Sequence, residues 1–103
     1  MAVIESNDQA IGDVLKTNGK VIVKYYADWC GSCKLFAPKY RRLSEDSRFS
    51  GTVFVDINAE NNPEARKLAA VDTLPFFAVF KDGKLQEALS TNKEEVVVSM
   101  LEK

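Results

Sequence analysis

The sequence predicts an α/β fold in which a parallel sheet is completed by an antiparallel hairpin, with helices on both faces. Apolar runs alternate with segments of helical periodicity in the order β-α-β-α-β-α-β-β-α, and such alternation is typical of a parallel sheet. Asp82-Gly83, between the last two strands, is a strong hairpin signal that makes their connection antiparallel. A chain of 103 residues is expected to form a single domain, residues 1–103.

The strands are predicted from runs of β-branched and aromatic residues. Val21–Tyr26 and Thr52–Asn58 are such runs, and Phe76–Phe80 is a nearly continuous apolar strand that leads into the hairpin. Met1–Ile4 is expected to form a short edge strand. The second strand of the hairpin is expected to begin near Leu85.

Helix starts are predicted from capping residues. Ser6 and Gln9 have the spacing of a capping box at the start of the first helix. A second helix is expected to begin at about Cys30, where the periodicity changes from that of a strand. Asn62, which precedes a proline, and Asn92 are expected to cap the third and fourth helices.

The composition argues against several classes of function. Fourteen basic and fifteen acidic residues leave a net charge of −1, whereas nucleic acids and anionic membranes need a concentrated positive surface. No apolar run approaches the roughly 18 residues of a membrane-spanning helix. The chain has no histidine, which removes Cys–His and Ser–His mechanisms and most metal sites. We therefore expect no metal, no cofactor, no nucleic-acid partner and no membrane partner.

The chain has two cysteines, and both belong to the tetrapeptide Cys30-Gly31-Ser32-Cys33. The predicted strand and helix place Cys30 at the carboxyl end of a strand, where sites of α/β proteins commonly lie. They also place its sulfur near a helix N-terminus, which favours a thiolate, the nucleophile of disulfide exchange. Cys33 lies one helical turn further on, close enough to form a bond with Cys30. The pattern predicts a reversible dithiol–disulfide pair.

Two other interpretations of the cysteine pair stay open at this point. A structural zinc site wants about four ligands, so the pair would be half of a site shared between two chains. A structural disulfide that closes so short a loop would contribute only about 2 kcal/mol by the chain-entropy model. Both are weaker explanations than redox chemistry.

The motifs around the cysteines resemble those of a known family. They are Ala27-Asp28 followed by Trp29-Cys30-Gly31-Ser32-Cys33-Lys34, Pro38 within the next helix, Thr73-Leu74-Pro75, and the turn Lys81-Asp82-Gly83. In this order, over essentially the whole chain, they resemble the thioredoxin family. The resemblance implies a thioredoxin fold, with a central mixed five-stranded sheet of order 1-3-2-4-5 flanked by four helices.

The resemblance also implies roles for individual residues. Cys30 is expected to be the exposed, attacking cysteine and Cys33 the buried, resolving one. Leu74–Pro75 is expected to be a cis peptide beside the cysteines, with Leu74 offering backbone hydrogen bonds to a bound substrate strand. The full set of expected substrate-binding residues is Trp29, Gly31, Ser32, Thr73, Leu74 and Pro75.

The sequence departs from the family at a position that matters for proton transfer. Lys24 stands where the family usually has a buried aspartate that assists the resolving cysteine. The second family position, often a lysine on the neighbouring strand, is matched to Phe54, with Asp56 two residues further on. We consider two alternatives: Lys24 and Asp56 form a charge-swapped pair, or Lys24 extends to the surface and pairs with nothing. Lys24, Lys34 and Asp56 are the candidates for adjusting the cysteine pKa values.

The function implied is that of a protein-disulfide oxidoreductase and redox carrier that forms a mixed disulfide at Cys30. A disulfide isomerase or oxidase of the same fold, or a binding module that uses only the scaffold, are the alternatives. Expected partners are disulfide-containing client proteins and an electron donor similar to thioredoxin reductase, and the protein is expected to be a monomer. We expect a cytoplasmic location, from the absence of a recognisable signal and of structural disulfides, with a periplasmic or exported protein as the alternative.

Overall fold

A five-stranded mixed sheet forms the centre of the protein in the computed structural model, which describes residues 3–103. The strand order is β1-β3-β2-β4-β5; β1 and β2 run parallel to β3, and β4 runs antiparallel to both β2 and β5. The predicted sheet order is confirmed. The strands are β1 (Ile4–Glu5), β2 (Lys20–Tyr26), β3 (Val53–Asn58), β4 (Phe76–Lys81) and β5 (Lys84–Ser90).

The first strand differs from the prediction of Met1–Ile4. Ile4 and Glu5 pair with Val55 and Asp56 of β3, and Met1 and residue 2 lie outside the described residues. The backbone contact with β3 continues one residue further, since the Ser6 amide donates to the Asp56 carbonyl at 2.9 Å.

Four α-helices flank the sheet, as the resemblance implied. They are α1 (Ile11–Thr17), α2 (Gly31–Ser44), α3 (Pro63–Lys67) and α4 (Glu94–Glu102), and a short 3₁₀ turn, Ser47–Phe49, connects α2 to β3.

Two apolar cores lie on opposite faces of the sheet. Successive side chains of the central strand β2 point to opposite faces. Val21 and Val23 therefore share a core with side chains of α1 and α3, whereas Ile22 shares a core with α2 and α4. Because β2 is covered on both faces, its sequence is almost continuously apolar, and Lys24 is the single charged residue within its buried part.

The hairpin turn has the backbone conformation that its sequence predicts. Asp82 and Gly83 both have positive φ angles, 53° and 80°. This is the requirement of a two-residue type I′ turn, and it explains the Asp-Gly pair.

The side-chain bonds that cap α1 and α3 come from residues other than the predicted ones. At the start of α1 the side-chain bond comes from Asn7, whose Oδ1 accepts the Ala10 amide at 2.9 Å, because Ser6 still follows the sheet. At the start of α3 the Ala65 amide donates at 2.7 Å to the carboxylate of Asp8, which lies far away in sequence.

The predicted N-cap position is confirmed for α3 and wrong for α4. Asn62 occupies the N-cap position of α3 but makes no side-chain capping bond, because its Oδ1 accepts the Asp8 amide at 2.9 Å. The N-cap of α4 is Lys93, not Asn92, and its amide donates to Thr91 Oγ1 at 3.1 Å.

Candidate active site

The two cysteines lie where β2 ends and α2 begins. A tight turn follows Tyr26, closed by the Cys30 amide, which donates to the Ala27 carbonyl at 3.1 Å. Cys30 is the N-cap residue of α2, and its Sγ accepts the Cys33 amide at 3.2 Å. The redox tetrapeptide is therefore at the carboxyl end of a central strand, as predicted.

Cys30 and Cys33 form a disulfide, with their Cα atoms 5.3 Å apart. The N-terminus of a helix exposes unpaired N–H groups and carries a partial positive charge, which stabilises an anion placed there. A thiolate formed at Cys30 after reduction would receive both the Cys33 amide bond and this field.

The difference in burial between the cysteines is smaller than the resemblance implied. Cys30 is 6% exposed and Cys33 is 2% exposed, so Cys30 is the outer sulfur but is not a widely exposed one. Ala27, Tyr26 and Leu74 pack around the pair, which limits access to it.

The Leu74–Pro75 peptide is cis, and Leu74 packs against the disulfide. Pro75 is buried and Thr73 is exposed. The hydroxyl of Ser90, at the end of β5, donates to the Pro75 carbonyl at 3.0 Å. The end of the hairpin therefore fixes the loop that lies over the cysteines.

Trp29 lies on the protein surface beside Cys30. Its side chain is 67% exposed, and its Nε1 donates to Glu60 Oε2 at 2.6 Å. Gly31 and Ser32 are also exposed, and a Cβ added at Gly31 would meet no atom within 4 Å. The small side chains of Gly31 and Ser32 therefore leave space here for a substrate backbone.

Lys24 and Asp56 form an ion pair next to the site. The parallel register of β2 and β3 places Asp56 directly beside Lys24, and Lys24 Nζ lies 3.5 Å from Asp56 Oδ1. Lys24 is only 3% exposed, so the alternative of an unpaired surface lysine is wrong. Matching the family position to Phe54 is also wrong, because Phe54 pairs with Ile22 and lies in the core.

The environment of this pair is partly aromatic. Lys24 Nζ lies 5.3 Å from the ring centroid of Tyr40 and 5.7 Å from that of Tyr26, positions that favour its positive charge. Asp56 Oδ1 is buried and has no hydrogen-bond partner. Burial and the negative charge of Glu5 raise the pKa of Asp56 to about 6, against the opposing effect of Lys24.

A cavity of about 270 Å³ joins the ion pair to the resolving cysteine. Lys24 and Asp56 line it together with Cys33 and Lys34. The remaining lining residues are Tyr26, Ala27, Asp28 and Ala37. Lys34, Lys24 and Asp56 are therefore brought together around Cys33, whereas Cys30 does not line this cavity.

Tyr26 forms one wall of the cavity and is held from outside. Its hydroxyl donates to Glu5 Oε2 at 2.8 Å, and Glu5 is the register partner of Asp56 on β1. Burial and this bond raise the pKa of Tyr26, which keeps the hydroxyl a donor.

Three residues near the site were not anticipated from the sequence: Glu5, Glu60 and Ser90. Each makes its contact with a partner 15 to 31 positions away, so no local motif announces it. Among residues 3–103, no group of three or more His, Cys, Asp or Glu side chains is arranged to hold a metal ion. In the same range no helix is long and apolar enough to cross a membrane.

Comparison with known proteins identifies the family. The Thioredoxin family model matches residues 2–103. The chain belongs to the thioredoxin family. This family consists of protein-disulfide oxidoreductases that use a CxxC pair, and Cys30 and Cys33 match that pair.

The curated relatives come from several kinds of organism. Chloroplastic thioredoxin F1 of Arabidopsis thaliana is 33% identical over 104 residues, which cover 97% of this chain and 57% of that protein. The thioredoxin of Mycoplasmoides gallisepticum is 32% identical over 82 residues, which cover 80% of each. The chain spans between 42% and 57% of the length of the chloroplastic relatives it matches.

Solved structures agree with the fold. Plasmodium falciparum thioredoxin superimposes with a TM-score of 0.89 at 27% identity, and the alignment covers 97% of both chains. The short form of spinach chloroplast thioredoxin F has a TM-score of 0.91 at 22% identity, over 98% of this chain and 91% of that one, and so supports the fold alone. The predicted thioredoxin fold is confirmed.

Proposed function

We propose that this protein is a protein-disulfide reductase and redox carrier that works through Cys30 and Cys33. The observation that carries the proposal is the Cys30–Cys33 disulfide at the N-terminus of α2, with Cys30 Sγ accepting a backbone N–H. Membership of the thioredoxin family supports it. A zinc site or a purely structural disulfide would need neither the helix N-terminus nor the cavity beside Cys33.

The proposed reaction consists of two exchanges. The Cys30 thiolate attacks one sulfur of a client disulfide; that bond breaks, and the released client thiolate takes a proton from solvent. Cys33 then loses its proton and attacks Cys30 Sγ; the mixed disulfide breaks, and the second client thiolate leaves and takes a proton from solvent. The client gains two electrons and two protons, and the Cys30–Cys33 disulfide is re-formed. A reductase returns the pair to the dithiol.

We propose that Asp56 accepts the Cys33 proton in the second exchange, through water in the cavity. The cavity lined by both residues, with a volume of about 270 Å³, has room for several water molecules, each of which occupies about 30 Å³ in the liquid. Asp56 Oδ1 has no polar contact closer than the 3.5 Å ion pair with Lys24 Nζ, so it can accept a hydrogen bond from water. Lys24 and Lys34 supply positive charge that stabilises anions in this cavity. In this proposal Lys24 positions and stabilises the carboxylate rather than acting as a base.

Client binding is proposed to use the residues around the disulfide. Trp29, Gly31 and Ser32 lie on one side, and Thr73, Leu74 and Pro75 form the loop on the other. Packing of Leu74 against the cysteines supports a role for its backbone in aligning an extended client segment.

The partners are proposed to be disulfide-containing client proteins and an electron donor similar to thioredoxin reductase, with the protein acting as a monomer of one domain, residues 1–103. A cytoplasmic role in electron transport is our preferred proposal, because the chain has no cysteines besides the redox pair. An exported protein remains the alternative. Several relatives are chloroplastic, so the compartment of this protein should be tested by a localisation experiment.

The proposal is tested by insulin reduction with dithiothreitol as electron donor, followed as turbidity. Wild-type protein is expected to accelerate precipitation, and Cys30→Ser is expected to have no activity above the background. Equal acceleration by both proteins would reject the mechanism. The equilibrium of the pair with glutathione then separates a reductase from an oxidase, since a strongly oxidising potential would contradict the reductase.

A further inference from the structure

A groove leads away from the redox tetrapeptide along α2. Ser32, Leu35, Phe36 and Lys39 line it, and Asn92, which precedes α4, faces them; the volume is about 160 Å³. The helical residues are spaced by three, four and seven positions, so they form one continuous stripe on the helix surface. The groove starts within the tetrapeptide itself, which makes it a natural extension of the proposed client-binding surface.

The apolar part of the groove is exposed to solvent. Leu35 is 77% exposed and Trp29 is 67% exposed, and among residues 3–103 no other large apolar side chain exceeds 44%. Trp29 directly precedes Cys30 in the chain, and Leu35 lies in the groove two positions after Cys33. Exposed apolar residues concentrated at a site indicate contact with a partner.

The charged part of the groove is basic. α2 carries Lys34, Lys39, Arg41 and Arg42 and no acidic residue. Within the described residues, Lys39 makes no ion pair or side-chain hydrogen bond, whereas Arg42 lies 3.9 Å from Glu94. Trp29, which precedes Cys30, is held by an acidic residue, Glu60. A client segment lying over α2 therefore meets an unpaired positive charge.

The distances along α2 indicate which positions of an extended client segment would lie over Leu35 and Lys39. Leu35 and Lys39 are five and nine residues beyond Cys30, or roughly 7 and 13 Å along the helix axis. An extended chain covers these distances in about two and four residues. We propose that the groove binds an extended client segment with an apolar residue about two positions, and an acidic residue about four positions, from the reacting cysteine. This inference rests on the proposed function, because it concerns the clients of the same site.

Binding of short synthetic peptides tests the inference without redox turnover. The probe peptides contain one cysteine, a leucine two positions away and an aspartate four positions away, on either flank, and matched peptides carry lysine in place of aspartate. Affinity is measured by fluorescence anisotropy with Cys30→Ser/Cys33→Ser protein. We expect one aspartate peptide to bind about three- to fivefold more tightly than its lysine counterpart, a preference that disappears in high salt.

Variants of the groove supply the controls. Lys39→Glu is expected to reverse the preference for aspartate, and Leu35→Ser to weaken both peptides about equally. Lys16→Glu makes the same charge change on α1, away from the groove, and is expected to preserve the preference. Equal binding of aspartate and lysine peptides, or equal effects of Lys39→Glu and Lys16→Glu, would overturn the inference.

A kinetic arm separates this inference from the proposed function. The same variants, with both cysteines present, are compared in the reduction of disulfide-linked versions of the peptides and of a small symmetric disulfide. Lys39→Glu is expected to change kcat/KM for the peptides by about fivefold or more while leaving the small disulfide unaffected. Loss of discrimination with retained reduction rejects the groove alone, whereas absence of reduction of every disulfide rejects the proposed function.

Discussion

The two cysteines of this site depend on different parts of the molecule. Cys30 receives its stabilisation from the backbone, through the Cys33 amide and the N-terminus of α2. Cys33 faces a cavity whose charges come from the side chains Lys24, Lys34 and Asp56. The environment of Cys30 is thus formed by backbone groups, and that of Cys33 by particular side chains.

This difference has a consequence for sequence change. A helix N-terminus survives most substitutions that preserve the fold, so the environment of Cys30 is robust. The environment of Cys33 depends on one ion pair between neighbouring strands, and a single substitution alters it. The first exchange step should therefore be insensitive to Asp56, and the second should depend on it.

Replacing each cysteine separately gives the largest expected contrast. Cys33→Ser keeps the attacking thiol but cannot resolve the intermediate, so a stable mixed disulfide with the client is expected at Cys30. Cys30→Ser is expected to trap none, because the remaining thiol lacks the helix N-terminus and is 2% exposed. Mass spectrometry under non-reducing conditions measures both, and trapping through Cys33 in the second variant would contradict the assignment.

Replacing Asp56 by asparagine tests the dependence of the second step. If Asp56 accepts the Cys33 proton, Asp56→Asn should slow client release by about a hundredfold, in the range of general base catalysis. In the wild type the rate of client release should rise as pH increases through about 6, where Asp56 loses its proton. This rise should be absent in Asp56→Asn. Stopped-flow fluorescence of Trp29 resolves attack from release.

The control for this prediction is the rate at which Cys30 attacks the client, measured in the same experiment. Asp56→Asn should leave the rate of mixed-disulfide formation within about twofold, since Cys30 does not line the cavity. Slowing of both steps by the same factor would show a general structural effect and remove the distinction between the two sulfurs.

The raised pKa of Asp56 should also make the stability of the oxidised protein depend on pH. Its folded pKa of about 6 lies above the ordinary value of 3.8, so the folded state holds the proton more tightly than the unfolded state. The free energy of unfolding should consequently fall as pH rises from about 4 to about 6.5, by about 2 kcal/mol. Urea unfolding of wild type and Asp56→Asn across this range measures it; parallel curves would refute the raised pKa.

The smallest expected effect is a shift in the pH profile of client release when Glu5 or Tyr26, at the outer wall of the cavity, is replaced. Glu5 raises the pKa of Asp56 through its charge, so Glu5→Gln should move the midpoint of the release-rate profile downward by about half a pH unit. Tyr26→Phe removes the hydrogen bond to Glu5 but keeps that charge, and should move the midpoint less. A larger shift in Tyr26→Phe would assign the effect to the hydrogen bond.

The parts of the fold that could be predicted from sequence are those with local signals. β2 and β4 are covered on both faces and are therefore nearly all apolar, and Asp82-Gly83 determines its own turn. The cysteine pair was recognisable because its spacing and its position between a strand and a helix are both visible in the sequence.

The failures share a physical cause, which is contact between distant segments. Asp8 caps α3 across 57 positions, and no local pattern predicts such a bond. The position of Asp56 beside Lys24 depends on the register of two parallel strands, and periodicity leaves that register undetermined. The match to Phe54 was an error of two residues in this register, which keeps the side chain on the same face but moves it away from Lys24.

The order of charge on β2 and β3 limits how this chain can exchange residues with its relatives. Introducing the usual aspartate at Lys24 alone would bring two carboxylates together beside Cys33, and introducing lysine at Asp56 alone would bring two ammonium groups together. The double exchange, Lys24→Asp with Asp56→Lys, keeps one carboxylate and one ammonium group beside Cys33. Either single substitution on the way from one charge order to the other would therefore place two like charges side by side.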